Sequence, residues 1–199
     1  MSLLQNLDHI DRTLFLALNG DGGPWLDQLM WYSSKMLFWT PVYILLIWAL
    51  YQKLQRKQFW IALGGLAVLL FMTDFVVVHT IKNVVMRPRP GYNPELEGLI
   101  HFVKDGNGNF YKGGRFGYFS NHASNYAGVV AYFILWMRPM RKWMLMLLLC
   151  WVLLIVYSRI YLGVHYPGDI LSGIIYGTSM AVFIHWILYR IISQKNQVA

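Results

Sequence analysis

Eight polar residues of this chain have the types and the order needed to hold and attack a tetrahedral anion: Lys82, Arg89, Ser120, His122, Ser158, Arg159, His165 and Asp169. They fall into three groups. The first is Lys82 and Arg89, in a run that ends Arg87-Pro88-Arg89-Pro90. Lysine supplies a compact charge and arginine a planar fork of donors, so the pair can grip different oxygens of one phosphate. Standing alone, such a cluster is more often a headgroup contact. The second group is Phe119-Ser120-Asn121-His122. A hydroxyl at a helix start and the free N–H groups of the first turn make an anion site, and an imidazole beside it titrates near neutrality. An isolated Ser120 would read as an ordinary cap. The third group is Ser158-Arg159, followed by His165 and then Pro167-Gly168-Asp169. Pro167 suits the first turn of a helix, and Asp169 in that turn can reach back to the His165 ring. A carboxylate on one ring nitrogen fixes the tautomer and makes the other nitrogen more nucleophilic. For this group alone, a capping aspartate beside an unrelated histidine explains the pattern about as well.

The elements that must position these groups are membrane helices. The 199 residues are 57% hydrophobic and 13% charged, with a mean hydropathy of +0.41, which excludes an ordinary soluble domain. Five apolar segments stand out, at about 36–51, 59–78, 122–137, 143–157 and 170–189. The third and fourth fall short of the roughly 20 residues of a span, so their flanks, 117–121 and 158–164, are expected at the membrane boundary. The motifs then lie at membrane depth. The expected fold is an all-α polytopic membrane helical bundle with five to six transmembrane helices, one domain over residues 1–199. Residues 1–35 fit two interfacial helices broken at 20–24; a sixth span running without a break from about Trp25 is the competing reading. No cleavable leader is expected, because the apolar run 14–18 is too short. Cys150, alone in an apolar segment, reads as a small apolar residue.

The net charge of +8 sits on one side of the membrane. Alternate loops and the tail hold Lys53, Arg56, Lys57, Arg138, Arg141, Lys142, Arg190 and Lys195 with no carboxylate among them, so they should face the cytoplasm. The motifs then face the periplasmic or extracellular side of a cytoplasmic membrane, and the charge does not argue for nucleic acid. The loop 86–119 is too polar for lipid. Its Asp105-Gly106-Asn107-Gly108 favours a tight hairpin turn, and a small lid and a plain surface loop are both open. Asp74 is expected to bond a neighbouring helix or face the cavity, with proton transfer as its alternative role. His79 is placed near the pocket, His185 is structural, and His101 reads as a loop residue.

Taken in order, Lys82-x6-Arg89-Pro90, Ser120-x-His122 and Ser158-Arg159-x5-His165-x3-Asp169 resemble the type 2 phosphatidic acid phosphatase (PAP2) family, whose phosphatase motif is shared with vanadium haloperoxidases. Three spaced motifs in order are specific where any one alone is not. The resemblance implies a phosphohistidine mechanism. His165 would attack phosphorus, Asp169 would orient it, and His122 would protonate the leaving oxygen and then activate water. Lys82, Arg89, Ser120 and Arg159 would bind the phosphoryl oxygens. No cofactor or metal is implied, and the outward face is expected to lack the clustered carboxylates of a magnesium site. One departure is visible: the family's Pro-Ser-Gly-His is here Phe119-Ser120-Asn121-His122. Asn121 still offers a backbone N–H as a weak phosphate contact, although a side chain there limits close approach and is expected to strain φ.

The implied substrate is a membrane lipid phosphate, with the bilayer as the surrounding partner and no obligate protein partner evident. Undecaprenyl diphosphate is a reasonable favourite on family grounds; phosphatidic acid, phosphatidylglycerol phosphate and lipid A are the alternatives. A lipid phosphotransferase would keep the same chemistry. A non-catalytic phospholipid-binding or transport protein is the rival from another class, and a haloperoxidase fits less well because those enzymes are soluble.

Overall fold

The computed structural model describes residues 3–195, apart from the side chains of 77–79, 83 and 195, so the expectation for His79 lies outside the described residues. Two helices lead, α1 (Leu3–Leu18) and α2 (Gly23–Ser33), separated at the Gly-rich turn. A tight turn, Met36–Trp39, opens α3 (Thr40–Lys53). The chain bends by 77° between α2 and this segment, so a straight span from Trp25 is not formed. Ser34 and Lys35, poor formers of a buried helix, sit at the bend.

The helix α4 (Arg56–Leu70) continues through wider turns over Phe71–Lys82 and one last turn, α5 (Asn83–Val85). It stops at Met86, which adopts φ 46°, and the Arg87-Pro88-Arg89-Pro90 run forbids further helix. After the long loop come α6 (Asn121–Met137), α7 (Lys142–Tyr161) and α8 (Pro167–Lys195). Among the described residues, three helical stretches are long and apolar enough to cross a membrane: Arg56–Lys82, Lys142–Tyr161 and Pro167–Gln194. The bent α2 and α3 make a fourth if counted as one span. No strands form among these residues, so the all-α membrane bundle stands.

The helix α6, 17 residues long, is the buried centre of the bundle, and most of its residues are shielded from the surroundings. It lies unusually close to α8. A Cβ added at Gly173 would stand 2.6 Å from the Ser120 carbonyl oxygen, and one at Gly177 would strike the backbone of Ser124. Small residues thus let the two backbones touch, as helices in lipid do when packing rather than hydrophobic driving force holds them together. The starts of α6 and α8, which carry the second and third motifs, are thereby brought to one point.

The loop 86–119 is a folded cover. Its entry and exit run side by side, with the Arg89 N–H donating to Arg115 O at 3.0 Å and the Gly117 N–H to Arg87 O at 2.9 Å. The hairpin turn forms at Asp105, whose Oδ1 accepts the N–H groups of Asn107 and Asn109, both at 2.9 Å. Leu96 and Val103 anchor it by burial, Val103 against Met30, Tyr161, Leu162 and Val164.

Candidate active site

The third motif forms the floor of the site. Arg159 closes the last turn of α7, His165 follows the turn at Gly163, and Asp169 lies in the first turn of α8; all three are buried, Asp169 completely. His165 Nδ1 stands 3.5 Å from Asp169 Oδ2, which also accepts the Tyr166 N–H at 3.1 Å. With Nδ1 turned to the carboxylate, Nε2 is the nitrogen left for chemistry. Burial, and then the positive charges of Arg89, Arg159 and Lys82, hold the His165 imidazole well below its ordinary pKa. The ring therefore favours its neutral form.

Arg89 reaches the same place from the loop. Its Nε donates to Phe116 O at 3.1 Å and its Nη1 to Val164 O at 3.3 Å. Gly117 makes room for it, since a Cβ there would meet Arg89 Cγ at 2.9 Å and Asp169 Oδ2 at 3.3 Å. Lys82, at the end of the wide-turned helix, feels the charges of Arg89, Asp169, Asp74 and Arg159. Arg159 Nη2 donates to the Tyr111 hydroxyl at 3.4 Å, while its buried Nε meets no protein acceptor. Burial alone would raise the Tyr111 pKa, but Arg159, Arg89 and Lys35 outweigh it and hold the hydroxyl below its ordinary value. Among the described residues, none of Lys82, Arg89 and Arg159 has a carboxylate at ion-pair distance.

The second motif caps α6. Ser120 is fully buried, its Oγ accepts the Ala123 N–H at 3.3 Å, and its own N–H donates to Asp169 O at 3.1 Å. His122 Nε2 lies 3.2 Å from the Ser34 carbonyl, which the bend after α2 presents to it. With Nε2 donating there, Nδ1 is the nitrogen that can exchange a proton. The charge of Arg159 reaches His122. Asn121 Nδ2 donates to Asp74 Oδ1 at 2.6 Å, so Asp74 is a tie between α6 and the preceding helix. The expected strain at Asn121 is absent: Met86 is the one residue other than glycine with positive φ among those described. An N1 position takes ordinary helical angles, and a side chain is tolerated there.

Ser158 turns its hydroxyl away, donating to Ile155 O at 2.6 Å within its own helix. His185 packs between Trp136 and Tyr189. His101 is more than a loop residue, since its Nε2 meets Asp27 Oδ1 at 2.9 Å. Asp21, Asp27 and His101 place ligand-type atoms within 4.8 Å of one another. The expectation of no carboxylate cluster on this face is thus corrected, although the cluster uses none of the motif residues. Motif reasoning also passed over Arg87, whose guanidinium bonds Asp169. Its signal was faint, a second arginine two residues before Arg89 in an extended segment where alternate residues share a side.

A bundle of apolar helices with a buried histidine, a carboxylate beside it and, among the described residues, three nearby cations without carboxylate partners has the groups that a membrane phosphoryl-transfer site needs. The model of the PAP2 superfamily matches residues 58–193, and the chain belongs to that family. Lipid A 4'-phosphatases of Bacteroides thetaiotaomicron and Porphyromonas gingivalis are each 30% identical to it. Those matches cover 95% and 88% of this chain, and 80% and 72% of the relatives. The undecaprenyl-diphosphatase-like YbjG of Escherichia coli is 27% identical over 86% of the chain and 79% of its own length. Among solved structures, a PAP2-type phosphatidylglycerolphosphate phosphatase from Bacillus subtilis shares the fold, with a TM-score of 0.64 at 22% identity, covering 94% of this chain and 88% of its own. The protein is a multi-pass membrane phosphatase of the PAP2 type.

Proposed function

We propose that the protein removes a terminal phosphate from a lipid headgroup at the outer face of a cytoplasmic membrane, through a phosphohistidine on His165. The observation that carries this is the buried imidazole of His165, with Asp169 3.5 Å from its Nδ1 and with Lys82, Arg89 and Arg159 close enough for their charges to act on it while, among the described residues, they have no carboxylate partner. His165 Nε2 attacks phosphorus as the bond to the leaving lipid oxygen breaks, and that oxygen takes the Nδ1 proton of His122, which the ring takes up from solvent as the anionic substrate binds. Water, deprotonated by His122, then attacks the phosphohistidine and releases phosphate. Lys82, Arg89, Arg159, the Ser120 hydroxyl and the first-turn N–H groups, that of Asn121 included, bind the oxygens and favour the trigonal-bipyramidal state.

Lipid A phosphate is the substrate that the relatives favour, which moves undecaprenyl diphosphate, the family-level favourite, to second place beside YbjG. The test is phosphate release by the purified protein from lipid A, undecaprenyl diphosphate, phosphatidylglycerol phosphate and phosphatidic acid, each beside His165→Ala. Turnover of at least one lipid, lost by orders of magnitude in a folded His165→Ala protein, is expected. Lipid binding without any release would overturn the reading in favour of a binding or transport protein, and transfer to an added lipid acceptor would make the enzyme a phosphotransferase.

A further inference from the structure

The first helix belongs to the working parts of the site. We propose that Asp11, with Asp8, uses Arg87 to position Asp169, so that α1 sets where the His165 ring stands; the inference rests on the phosphohistidine reading above. Arg87 is held on four sides. Its Nη1 donates to Asp169 Oδ1 at 2.9 Å, its Nη2 meets Asp8 Oδ1 at 2.9 Å and Asp11 Oδ2 at 2.8 Å, and its plane lies 4.1 Å from the centre of the Tyr166 ring. A guanidinium with both terminal nitrogens bound to carboxylates and one face on a ring has few orientations open to it, unlike a lone side chain on an extended loop.

Asp11 does a second task with its other oxygen. Oδ1 accepts the Gly168 N–H at 2.7 Å, one of the donors that the start of α8 leaves without a helical partner. The same carboxylate therefore grips the backbone one residue before Asp169 and the arginine that grips the Asp169 side chain. A Cβ at position 168 would stand 2.7 Å from Asp11 Oδ2, so glycine is what lets α1 approach. Asp169 divides its oxygens accordingly, Oδ1 to Arg87 and Oδ2 to the Tyr166 N–H and His165. The contacts thus run from α1 through Arg87 to Asp169, and Asp169 Oδ2 stands 3.5 Å from His165 Nδ1.

Arg87 is also set apart from the other cations by its surroundings. Three carboxylates face it, and their attraction raises its pKa although burial works against its charge. It is thus neutralised, which suits a positioning residue and not a phosphate ligand. The match to the PAP2 superfamily begins at residue 58, so Asp8 and Asp11 come from outside the family's matched region. The helix has a reason to lie where it does. Leu3, Leu7, Ile10, Leu14 and Leu18 form an exposed stripe on its other side, suited to the membrane interface, while Asp8, Asp11 and Phe15 turn inward.

The experiment measures kcat, KM and thermal unfolding of the full chain, on the lipid turned over fastest in the panel above. Arg87→Gln is expected to lower kcat by about 10- to 100-fold, the loss that misplacing a reacting group by an ångström brings, with KM nearly unchanged. Arg87→Lys should recover part of it. Asp11→Asn keeps an oxygen for Gly168 while giving up the charge and should lose less than Asp11→Ala; this pair carries the test if Arg87→Gln does not fold. The decisive readout is a double-mutant cycle. With Asp169→Asn already present, Arg87→Gln should add little further loss, because its route to His165 is gone. The same fold-loss in both backgrounds, or a lowered unfolding temperature with wild-type kcat, overturns the inference while the phosphohistidine reading stands. An active His165→Ala protein overturns both.

Discussion

Substituting Gly173 by alanine tests whether the site depends on the closeness of α6 and α8. The new Cβ would lie 2.6 Å from Ser120 O and 2.9 Å from Ala123 Cβ, against the 3.0 to 3.4 Å of even tight Cβ contacts. The backbones must therefore separate by about 0.4 to 0.8 Å, since the obstacle is a main-chain oxygen and cannot swing aside. Ser120 and His122 ride on one helix start, His165 and Asp169 on the other, so the gap opens across the reacting atoms. If a displacement of 1 Å costs about 100-fold, this one should lower kcat on the order of ten-fold, with about 1–3 kcal/mol lost in stability from overpacking. Gly64→Ala is the control, because nothing lies within 4 Å of its added Cβ. Phosphate release from detergent-solubilised protein gives kcat, and unfolding in the same detergent gives stability. A Gly173→Ala protein with wild-type values for both would refute the claim that this crossing sets the site, and the closer approach at Gly177 predicts a larger effect from Gly177→Ala.

Four further outcomes are expected. His165 is held neutral in the folded chain but takes up a proton when unfolded below about pH 6.5. Its contribution to stability is thus present above that pH and lost as pH falls toward its lowered folded value; unfolding temperatures measured against pH should fall less steeply below 6.5 in His165→Ala. Turnover should survive EDTA and be blocked by vanadate, a five-coordinate mimic of the transition state; loss on chelation that magnesium restores would refute a metal-free route. Asn121→Gly keeps the backbone N–H and gives up the bond to Asp74, so it should cost about 1 kcal/mol of stability with turnover little changed, and a large fall in kcat would give the side chain a catalytic task. Arg159→Met should abolish turnover while raising the unfolding temperature, and a destabilised Arg159→Met protein would show that the charge is structural.

Local chemistry was legible in the sequence, and long-range packing was not. Ser120 caps α6, Pro167 opens α8 and the turn forms at Asp105, because each depends on neighbours within a few residues. The bend after Ser34 was partly legible, but nothing in Ser33-Ser34-Lys35 says that the Ser34 carbonyl will meet His122, 88 residues away. Arg87 was missed for the same reason. Its partners Asp8, Asp11 and Asp169 stand about 80 residues off on either side, and only the folded chain shows that Arg87 is the arginine of the pair with carboxylate partners. The glycines of α8 carried a signal that went unused, since Gly173 and Gly177 are spaced to line one helix face.

The arrangement of charge explains why a site so costly to fold is worth holding rigid. Burying Arg159 almost completely, with Nε unpartnered and a phenol as its side-chain contact, takes a cation out of water without an opposing carboxylate. In most interiors that penalty, several kcal/mol, is relieved by an acidic partner. Here, among the described residues, the one buried carboxylate is turned to Arg87 and His165, so the positive field around Arg159 stays unneutralised, as the proposed phosphoryl site requires. A substrate dianion gains from that field on arrival, and gains more as charge spreads over the equatorial oxygens of the transition state. Were Asp169 to face Arg159 instead, the chain would be more stable and the nucleophile unoriented. The tight α6–α8 crossing and the Arg87 clamp are what keep the carboxylate on the histidine side.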